Sequence, residues 1–119
     1  MAFRRKIRTK SIGGDYTVLP EDTETLFIAA SGADIEFTLP AVANAKDCTF
    51  TFLNGQDFEL LITAPDETLV AFNDATADAI SVTTATEHIG GAIQVVCDGS
   101  LYYALNLSAG ANTITVVSA

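Results

Sequence analysis

The chain alternates apolar and polar residues over short stretches, and residues 34–53 show this most clearly. Residues 34–39 read D-I-E-F-T-L and residues 48–53 read C-T-F-T-F-L. A period of two is typical of strands with one buried face. Pro40 has no backbone N–H for a ladder hydrogen bond, and the small residues 41–45 suit one tight helical turn. This stretch therefore predicts a strand, a corner and a second strand.

The same alternation elsewhere predicts an all-β fold of about ten short strands, a small β-sandwich or barrel-like domain with no long helix. Gly, Pro, Asn and Asp separate the strands at roughly ten-residue intervals, which is the rhythm of such folds. The predicted strands are Tyr16–Leu19, Thr25–Ala30, Asp34–Leu39, Cys48–Leu53, Phe58–Thr63, Thr68–Phe72, Ala79–Thr83, Ala92–Cys97, Leu101–Leu107 and Thr113–Val117.

Two turn signals and the phase of each strand refine this prediction. Asn54–Gly55 and Asp98–Gly99 predict hairpins. A type I′ hairpin turn requires a positive φ at both central residues, and Asn-Gly and Asp-Gly are the pairs that adopt it most readily. The adjacent Tyr102 and Tyr103 must face opposite sides of a strand. The predicted core comprises Phe37, Leu39, Phe50, Phe52, Ile62, Val82, Ile93, Val95, Tyr103 and Leu105.

Length and composition predict one domain that associates with itself. A chain of 119 residues buries enough surface for one core. Apolar residues make up 49% and charged residues 18%, so the chain has more apolar surface than a small monomer easily hides. The longest apolar runs, such as Leu26–Ala30, fall far short of the ~20 residues of a membrane helix. The excess therefore predicts a subunit interface and no membrane contact.

The charge is divided between a basic N-terminus and an acidic body. The net charge is −9, yet Lys46 is the single basic residue after position 10. Residues 1–12 are predicted to form a flexible basic arm and residues 13–119 the β domain, whose acidity excludes nucleic acid as a partner. The arm is either a solvated tail or a segment that docks into an acidic groove. The predicted contact residues are Phe3, Arg4, Arg5, Lys6, Ile7, Arg8 and Lys10.

The sequence predicts neither catalysis nor a cofactor or metal site. His88 is the one histidine, and no nucleophile motif accompanies it. One histidine and two cysteines at unrelated spacings do not form a zinc ligand set. The acidic turns lack the spacing of a calcium loop, although one acid from each of three copies could still meet a cation at a trimer axis. Cys48 and Cys97 are predicted as buried thiols, with a disulfide as the open alternative.

Residues 37–54, F-T-L-P-A-V-A-N-A-K-D-C-T-F-T-F-L-N, resemble a segment that recurs in small β-structured virion proteins of tailed phages. Those proteins include capsid decoration (cement) proteins, head fibres and tail-fibre modules. The resemblance extends over residues 32–110 through L-I-T-A, a Gly-Gly turn, D-G and an aromatic strand. It implies a β-structured virion protein.

Together with the charge pattern, the resemblance implies a capsid decoration protein that forms a homotrimer and stabilises the outer surface of a phage head. The implied partners are the chain itself and the major capsid protein, and the implied location is the virion after assembly in the host cytoplasm. Two alternatives remain. One is a tail-fibre or receptor-binding module, and the other is a stand-alone carbohydrate-binding domain in which an outward tyrosine stacks on a sugar.

Overall fold

The computed structural model describes residues 8–30, 32–71, 74–82, 89–107 and 114–117, which form twelve strands and two short 3-10 turns. The strands are β1 (Arg8–Ile12), β2 (Tyr16–Thr17), β3 (Thr25–Ala29), β4 (Ile35–Thr38), β5 (Thr49–Asn54), β6 (Leu60–Thr63), β7 (Leu69–Ala71), β8 (Asp74–Ala77), β9 (Ala79–Val82), β10 (Ala92–Cys97), β11 (Tyr102–Asn106) and β12 (Ile114–Val117), and the 3-10 turns are Pro20–Asp22 and Val42–Asn44.

The strands form two mixed sheets. The larger sheet has seven strands in the order β1-β3-β5-β10-β11-β7-β8, and the smaller has five in the order β12-β9-β6-β4-β2. Parallel and antiparallel pairs occur in both sheets. The predicted all-β class, with no long helix in the described residues, is confirmed.

The first six strands wind alternately between the two sheets. β1, β3 and β5 are parallel neighbours in the larger sheet, and β2, β4 and β6 are parallel neighbours in the smaller one. Two parallel neighbours cannot be joined by a hairpin, so each connection crosses to the opposite sheet before the chain returns. β1 and β2 each lie at one edge of their sheet.

Aromatic side chains join the two sheets across the core. Phe27 of β3 stacks on Phe52 of β5, with ring centroids 5.3 Å apart. Phe37 of β4 approaches from the smaller sheet, with its ring 5.5 Å from Phe27 and 4.9 Å from Phe52. All three rings are fully buried, and each contributes roughly 1.5 to 3 kcal/mol of burial energy to folding.

The predicted corner between β4 and β5 is confirmed. The turn Val42–Asn44 follows Pro40, and the chain then passes through Asp47, whose φ is 66°. Asp tolerates this left-handed conformation better than most side chains. The buried Tyr102 hydroxyl donates a hydrogen bond to the carbonyl of Pro40, so the corner is tied to β11.

The predicted core is correct except on β11. Eight of the ten predicted core residues are buried, but Tyr103 is 39% exposed and Leu105 is 49% exposed. Tyr102 takes the inward position because it lies opposite the buried Cys97 in the register of β10 and β11. Both phases of this strand are apolar, so alternation alone does not distinguish the inner face from the outer one.

One of the two predicted hairpins is wrong. Asp98–Gly99 does begin the β10–β11 hairpin, where the Asp98 N–H donates to the carbonyl of Leu101 at 3.1 Å. The predicted type I′ turn is wrong, because φ is positive at Gly99 (96°) but not at Asp98. Asn54–Gly55 instead leads from β5 into the other sheet. The buried Asn54 side chain donates to the Phe58 carbonyl at 2.6 Å. This hydrogen bond stabilises the connection between β5 and β6, which is longer than a two-residue turn.

The structure also adds two strands and shortens the predicted arm. β1 and β8 were not predicted, because R-T-K-S-I and D-A-T-A lack a strong apolar alternation. β1 pairs in parallel with β3 along its whole length, from Arg8 with Thr25 to Ile12 with Ala29. The prediction of a flexible arm over residues 1–12 is therefore wrong for residues 8–12, which belong to the β domain.

Candidate functional site: a basic edge and an uncharged sheet face

The predicted contact residues divide at the start of β1. Phe3, Arg4, Arg5, Lys6 and Ile7 lie outside the described residues. Arg8 and Lys10 lie on β1, in the phase that pairs with Thr25 and Phe27 on the core side of β3. We call these two basic residues the basic edge, since β1 lies at one edge of the larger sheet.

Arg8 binds the backbone of the neighbouring 3-10 turn. Its guanidinium Nη2 donates to the carbonyl of Glu21 at 2.7 Å and to the carbonyl of Thr23 at 2.8 Å. These carbonyls carry no formal charge, so the hydrogen bonds orient the guanidinium without neutralising it. Arg8 is exposed, and it presents its positive charge to the solvent at the start of the described chain.

Lys10 forms an ion pair within the chain. Its ammonium Nζ lies 2.9 Å from Asp22 Oδ1 and donates at 3.3 Å to the hydroxyl of Tyr16. The ammonium also lies 5.6 Å from the centre of the Tyr16 ring, within cation–π range. Lys10 therefore connects β1 of the larger sheet to β2 of the smaller one, and much of its charge is compensated at this junction.

Asp22 is the central acceptor of this junction. Its Oδ2 accepts hydrogen bonds from the Tyr16 hydroxyl at 2.9 Å and from the Leu19 N–H at 3.0 Å. Burial alone would raise the pKa of Asp22, but the hydrogen bonds from Leu19, Lys10 and Tyr16 outweigh it and lower that pKa below its usual range. The hydrogen bond to Asp22 is the main reason that the pKa of Lys10 is raised.

The outer face of the larger sheet is the second candidate. On β3, β5, β7 and β10, buried residues alternate with residues that point away from the core. The register sets the outward residues of these strands, and of β1 and β11, side by side. We call these positions the uncharged face: Thr9 and Ser11 of β1, Leu26 and Ile28 of β3, Thr49, Thr51 and Leu53 of β5, Ala92, Gln94 and Val96 of β10, Tyr103 and Leu105 of β11, and Val70 of β7.

The uncharged face carries no Asp, Glu, Lys or Arg at any of these positions, although the chain has a net charge of −9. Leu105 is 49% exposed and Tyr103 is 39% exposed, so large apolar groups meet solvent here. Apolar side chains and hydroxyl groups cover six adjacent strands. A sheet face without charged side chains on a strongly acidic chain is typical of an interaction surface.

Gln94 lies near the centre of the uncharged face. Its neighbours across the strands are Thr51 of β5 and Leu105 of β11. The Gln94 amide Nε2 lies 3.4 Å from the Thr51 hydroxyl, which is a long hydrogen bond. This amide therefore keeps hydrogen-bonding capacity for a group that arrives from outside.

Charged residues lie at the turn that borders the uncharged face. The Tyr103 hydroxyl donates to Asp98 Oδ2 at 3.2 Å. The N–H groups of Leu101 and Ser100 donate to Asp98 Oδ1 and lower the pKa of that carboxyl. The hydrogen bond to Asp98 raises the pKa of Tyr103. The uncharged face is therefore bordered at this turn by a carboxylate, and charged residues are usual at the rim of a protein interface and rare at its centre.

The two cysteines are buried and form no disulfide. Burial raises the pKa of Cys97, which favours the unreactive thiol. Within the described residues, no three His, Cys, Asp or Glu side chains are grouped to hold a metal ion. His88 lies outside the described residues, and so does Asn73 of one acidic turn.

The subunit interface expected from the apolar excess stays a prediction, and sequence reasoning did not locate the uncharged face. The signal was present in T-L-F-I-A and L-Y-Y-A-L, where both phases of the strand are apolar. A strand that is apolar in both phases presents apolar side chains on both faces of its sheet, and the core buries only one of them. The pairing of the strands was needed to show that these second faces lie on one side of one sheet.

Among the described residues, no helix has the length and apolarity needed to cross a membrane. Comparison of the chain with protein-family models, with curated proteins and with solved structures finds no match.

Proposed function

We propose that this chain is a structural virion protein, a capsid decoration protein that oligomerises on the outer surface of a tailed-phage head and stabilises it. The observation that carries the proposal is the uncharged face on an otherwise acidic β domain. A protein that covers a shell needs one surface for its own copies and another for the shell. The uncharged face suits the first and the basic N-terminal segment suits the second.

The segment that resembles phage virion proteins also supports the proposal through its place in the fold. Residues 37–54 span the end of β4, the corner and β5. They supply Phe37 and Phe52, two of the three rings that join the sheets. The resemblance therefore concerns the residues that build the core and the crossing between the sheets, which are the parts that define an architecture.

The shell partner in this proposal is the major capsid protein, contacted by residues 3–8 as part of a homotrimer. Residues 3–7 contribute three basic side chains and lead directly into Arg8, which keeps its charge at the basic edge. Opposite charge would speed and orient docking on an acidic shell, while Phe3 and Ile7 would contribute burial that salt does not screen. Lys10 is assigned to the fold, because its ammonium pairs with Asp22.

A second candidate function is a receptor-binding or tail-fibre module. The observation that favours it is Tyr103, whose ring is partly exposed on the uncharged face beside Asp98. An exposed aromatic ring next to a carboxylate can stack on a sugar and accept hydrogen bonds from its hydroxyls. A single ring gives a small platform, so this remains the second candidate.

The deciding experiment compares binding of the purified chain to tailed-phage heads that lack it and to host cells. Three chains are compared: the full chain, a chain without residues 2–7, and a chain with Arg4, Arg5 and Lys6 replaced by Gln. Lys46→Gln, which removes a basic residue elsewhere, is the control. The truncation stops before β1 because Arg8 and Lys10 bind the β domain.

The full chain and Lys46→Gln should bind the heads, with an affinity that falls as salt rises. The truncated chain should bind at least about tenfold more weakly, and the Gln variant should lose most of the salt dependence. Binding to cells but not to heads would replace the first candidate with the second. Equal binding of the full and truncated chains to heads would remove the basic segment from the proposal.

A further inference from the structure

We propose that the uncharged face is the surface on which a second copy of this chain packs. This inference rests on the proposed function for the self-association of the chain and goes beyond it, because a face that meets its own copy makes a two-fold contact, whereas a three-fold ring joins two different patches. It assigns self-association to the outer face of β1, β3, β5, β10, β11 and β7, with Gln94, Thr51 and Leu105 at the centre.

The absence of charged side chains favours this face for contact between copies. Two copies each carry −9, so they repel one another at long range. An interface that contained acidic residues would bring identical carboxylates together and remove them from water, which is costly without a cationic partner. The uncharged face lets two copies approach without burying a carboxylate at any of its positions. A basic partner protein would instead favour an acidic surface.

The side chains of the face also suit a self-complementary contact. Leu26, Ile28 and Leu105 provide apolar area, while Thr51 and Gln94 can donate and accept hydrogen bonds. Across a two-fold axis the same patch meets its own copy, so groups that both donate and accept can pair with themselves. A carboxylate cannot do this at neutral pH, because it only accepts hydrogen bonds.

The size of the face predicts an association of moderate strength. Six strands about 4.8 Å apart and five residues long cover about 24 Å by about 16 Å, or roughly 400 Å² in projection. Two such faces total roughly 800 Å², which is below the roughly 1,000 Å² of a stable specific interface and is in the range of weak, transient ones. We therefore expect dissociation constants in the micromolar range, about 1 to 100 µM.

The test uses two pairs of variants of the full chain, each pair matched in charge. Gln94→Glu adds a carboxylate at the centre with almost no change in shape, and Asn44→Asp adds one on the exposed turn after β4. Leu105→Glu adds a charge at a residue 49% exposed on the face, and Leu19→Glu does so at a residue 45% exposed outside it. Circular dichroism and thermal unfolding establish that each variant is folded.

Sedimentation velocity from about 1 µM to about 200 µM should show wild type, Asn44→Asp and Leu19→Glu associating alike. Gln94→Glu and Leu105→Glu should stay folded and dissociate with constants at least about tenfold higher. If the face variants associate like wild type, or if wild type is monomeric throughout this range, the inference is wrong. Loss of head binding by the face variants without any self-association would assign the face to the shell protein and also overturn it.

The outcome for the number of copies is separate. An assembly of two copies that Gln94→Glu dissociates supports the uncharged face and contradicts the homotrimer of the proposed function. Failure of the wild-type assembly to bind phage heads likewise contradicts the proposed function and leaves the assignment of the face intact.

Discussion

At the scale of single residues, the junction of Lys10, Tyr16 and Asp22 connects the two sheets at their edge. Asp22 is 3% exposed and accepts hydrogen bonds from three donors. A buried carboxylate remains charged only when such donors replace its hydration. The energy of this junction therefore depends on the ionisation of one side chain.

Because the pKa of Asp22 is lowered in the folded chain, its ionised form contributes stability above the unfolded pKa of about 3.9. That contribution is lost as the pH falls through the lower folded pKa. Asp22→Asn should lower the free energy of unfolding by about 1 to 3 kcal/mol at pH 7. The difference from wild type should shrink as the pH falls below about 4.

Urea titrations across this pH range measure the difference. Glu21→Gln, which changes the exposed neighbouring acid, serves as the control and should follow wild type closely. A loss of stability in Asp22→Asn that is the same at pH 7 and at pH 2 would show that the ionised form does not matter.

Thr25 and Thr23 allow a matched pair of substitutions. The hydroxyl of Thr25 is fully buried, and it is the one buried side-chain polar atom without a partner among the described residues. Thr25→Val keeps the shape and removes this hydroxyl, so it should raise the free energy of unfolding by about 1 kcal/mol. Thr23 Oγ1 accepts a hydrogen bond from the Thr49 N–H at 3.0 Å, and Thr23→Val should lower stability by about the same amount.

Denaturant unfolding of the two variants beside wild type measures both changes. We expect Thr25→Val to raise the free energy of unfolding and Thr23→Val to lower it. A loss of stability in both would indicate that the Thr25 hydroxyl has a partner in the folded protein.

At the scale of elements, β1 is where the basic segment becomes part of the sheet. Deleting residues 2–10 removes Arg8 and Lys10, and with them the hydrogen bonds to Glu21, Thr23 and Asp22. We expect this deletion to lower the free energy of unfolding by roughly 2 to 4 kcal/mol, from about 1 kcal/mol for each lost hydrogen bond. Deleting residues 2–7 keeps all of these hydrogen bonds and should lower the free energy of unfolding by less than about 0.5 kcal/mol.

Thermal and denaturant unfolding of the two truncated chains measure this difference. Equal stability of the two would mean that the register of β1 with β3 contributes little. The shorter deletion is also the chain that tests attachment while keeping β1 complete.

At the scale of the whole molecule, self-association and attachment to a shell should respond to salt in opposite directions. Copies that carry −9 each repel, and raising the salt from about 10 mM to about 150 mM shortens the screening length from about 30 Å to about 8 Å. Self-association should therefore tighten severalfold with salt, whereas attachment through basic residues to an acidic shell should weaken.

Sedimentation at the two salt concentrations checks the first trend, and binding to phage heads checks the second. Self-association that weakens with salt would indicate that ion pairs, and not the uncharged face, hold the copies together.

The sequence by itself determined the fold class, most of the core and the corner of residues 40–47. Alternation in the predicted strands placed Phe37, Phe50 and Ile93 inside, because burial along one strand follows a local period of two. The apolar excess also predicted an interface, because it is a property of the composition and does not depend on which strands pair.

Only the tertiary structure decided the order of the strands, the inward phase of β11 and the location of the uncharged face. Asn54–Gly55 has the local chemistry of a hairpin, but it leads to the other sheet because β5 pairs with β3 and β10. Lys10 and Asp22 lie 12 positions apart in the chain, and they meet only because β1 and the turn after β2 converge at one edge. These features depend on which strands become neighbours, and strand pairing is set by contacts between distant residues that no local pattern records.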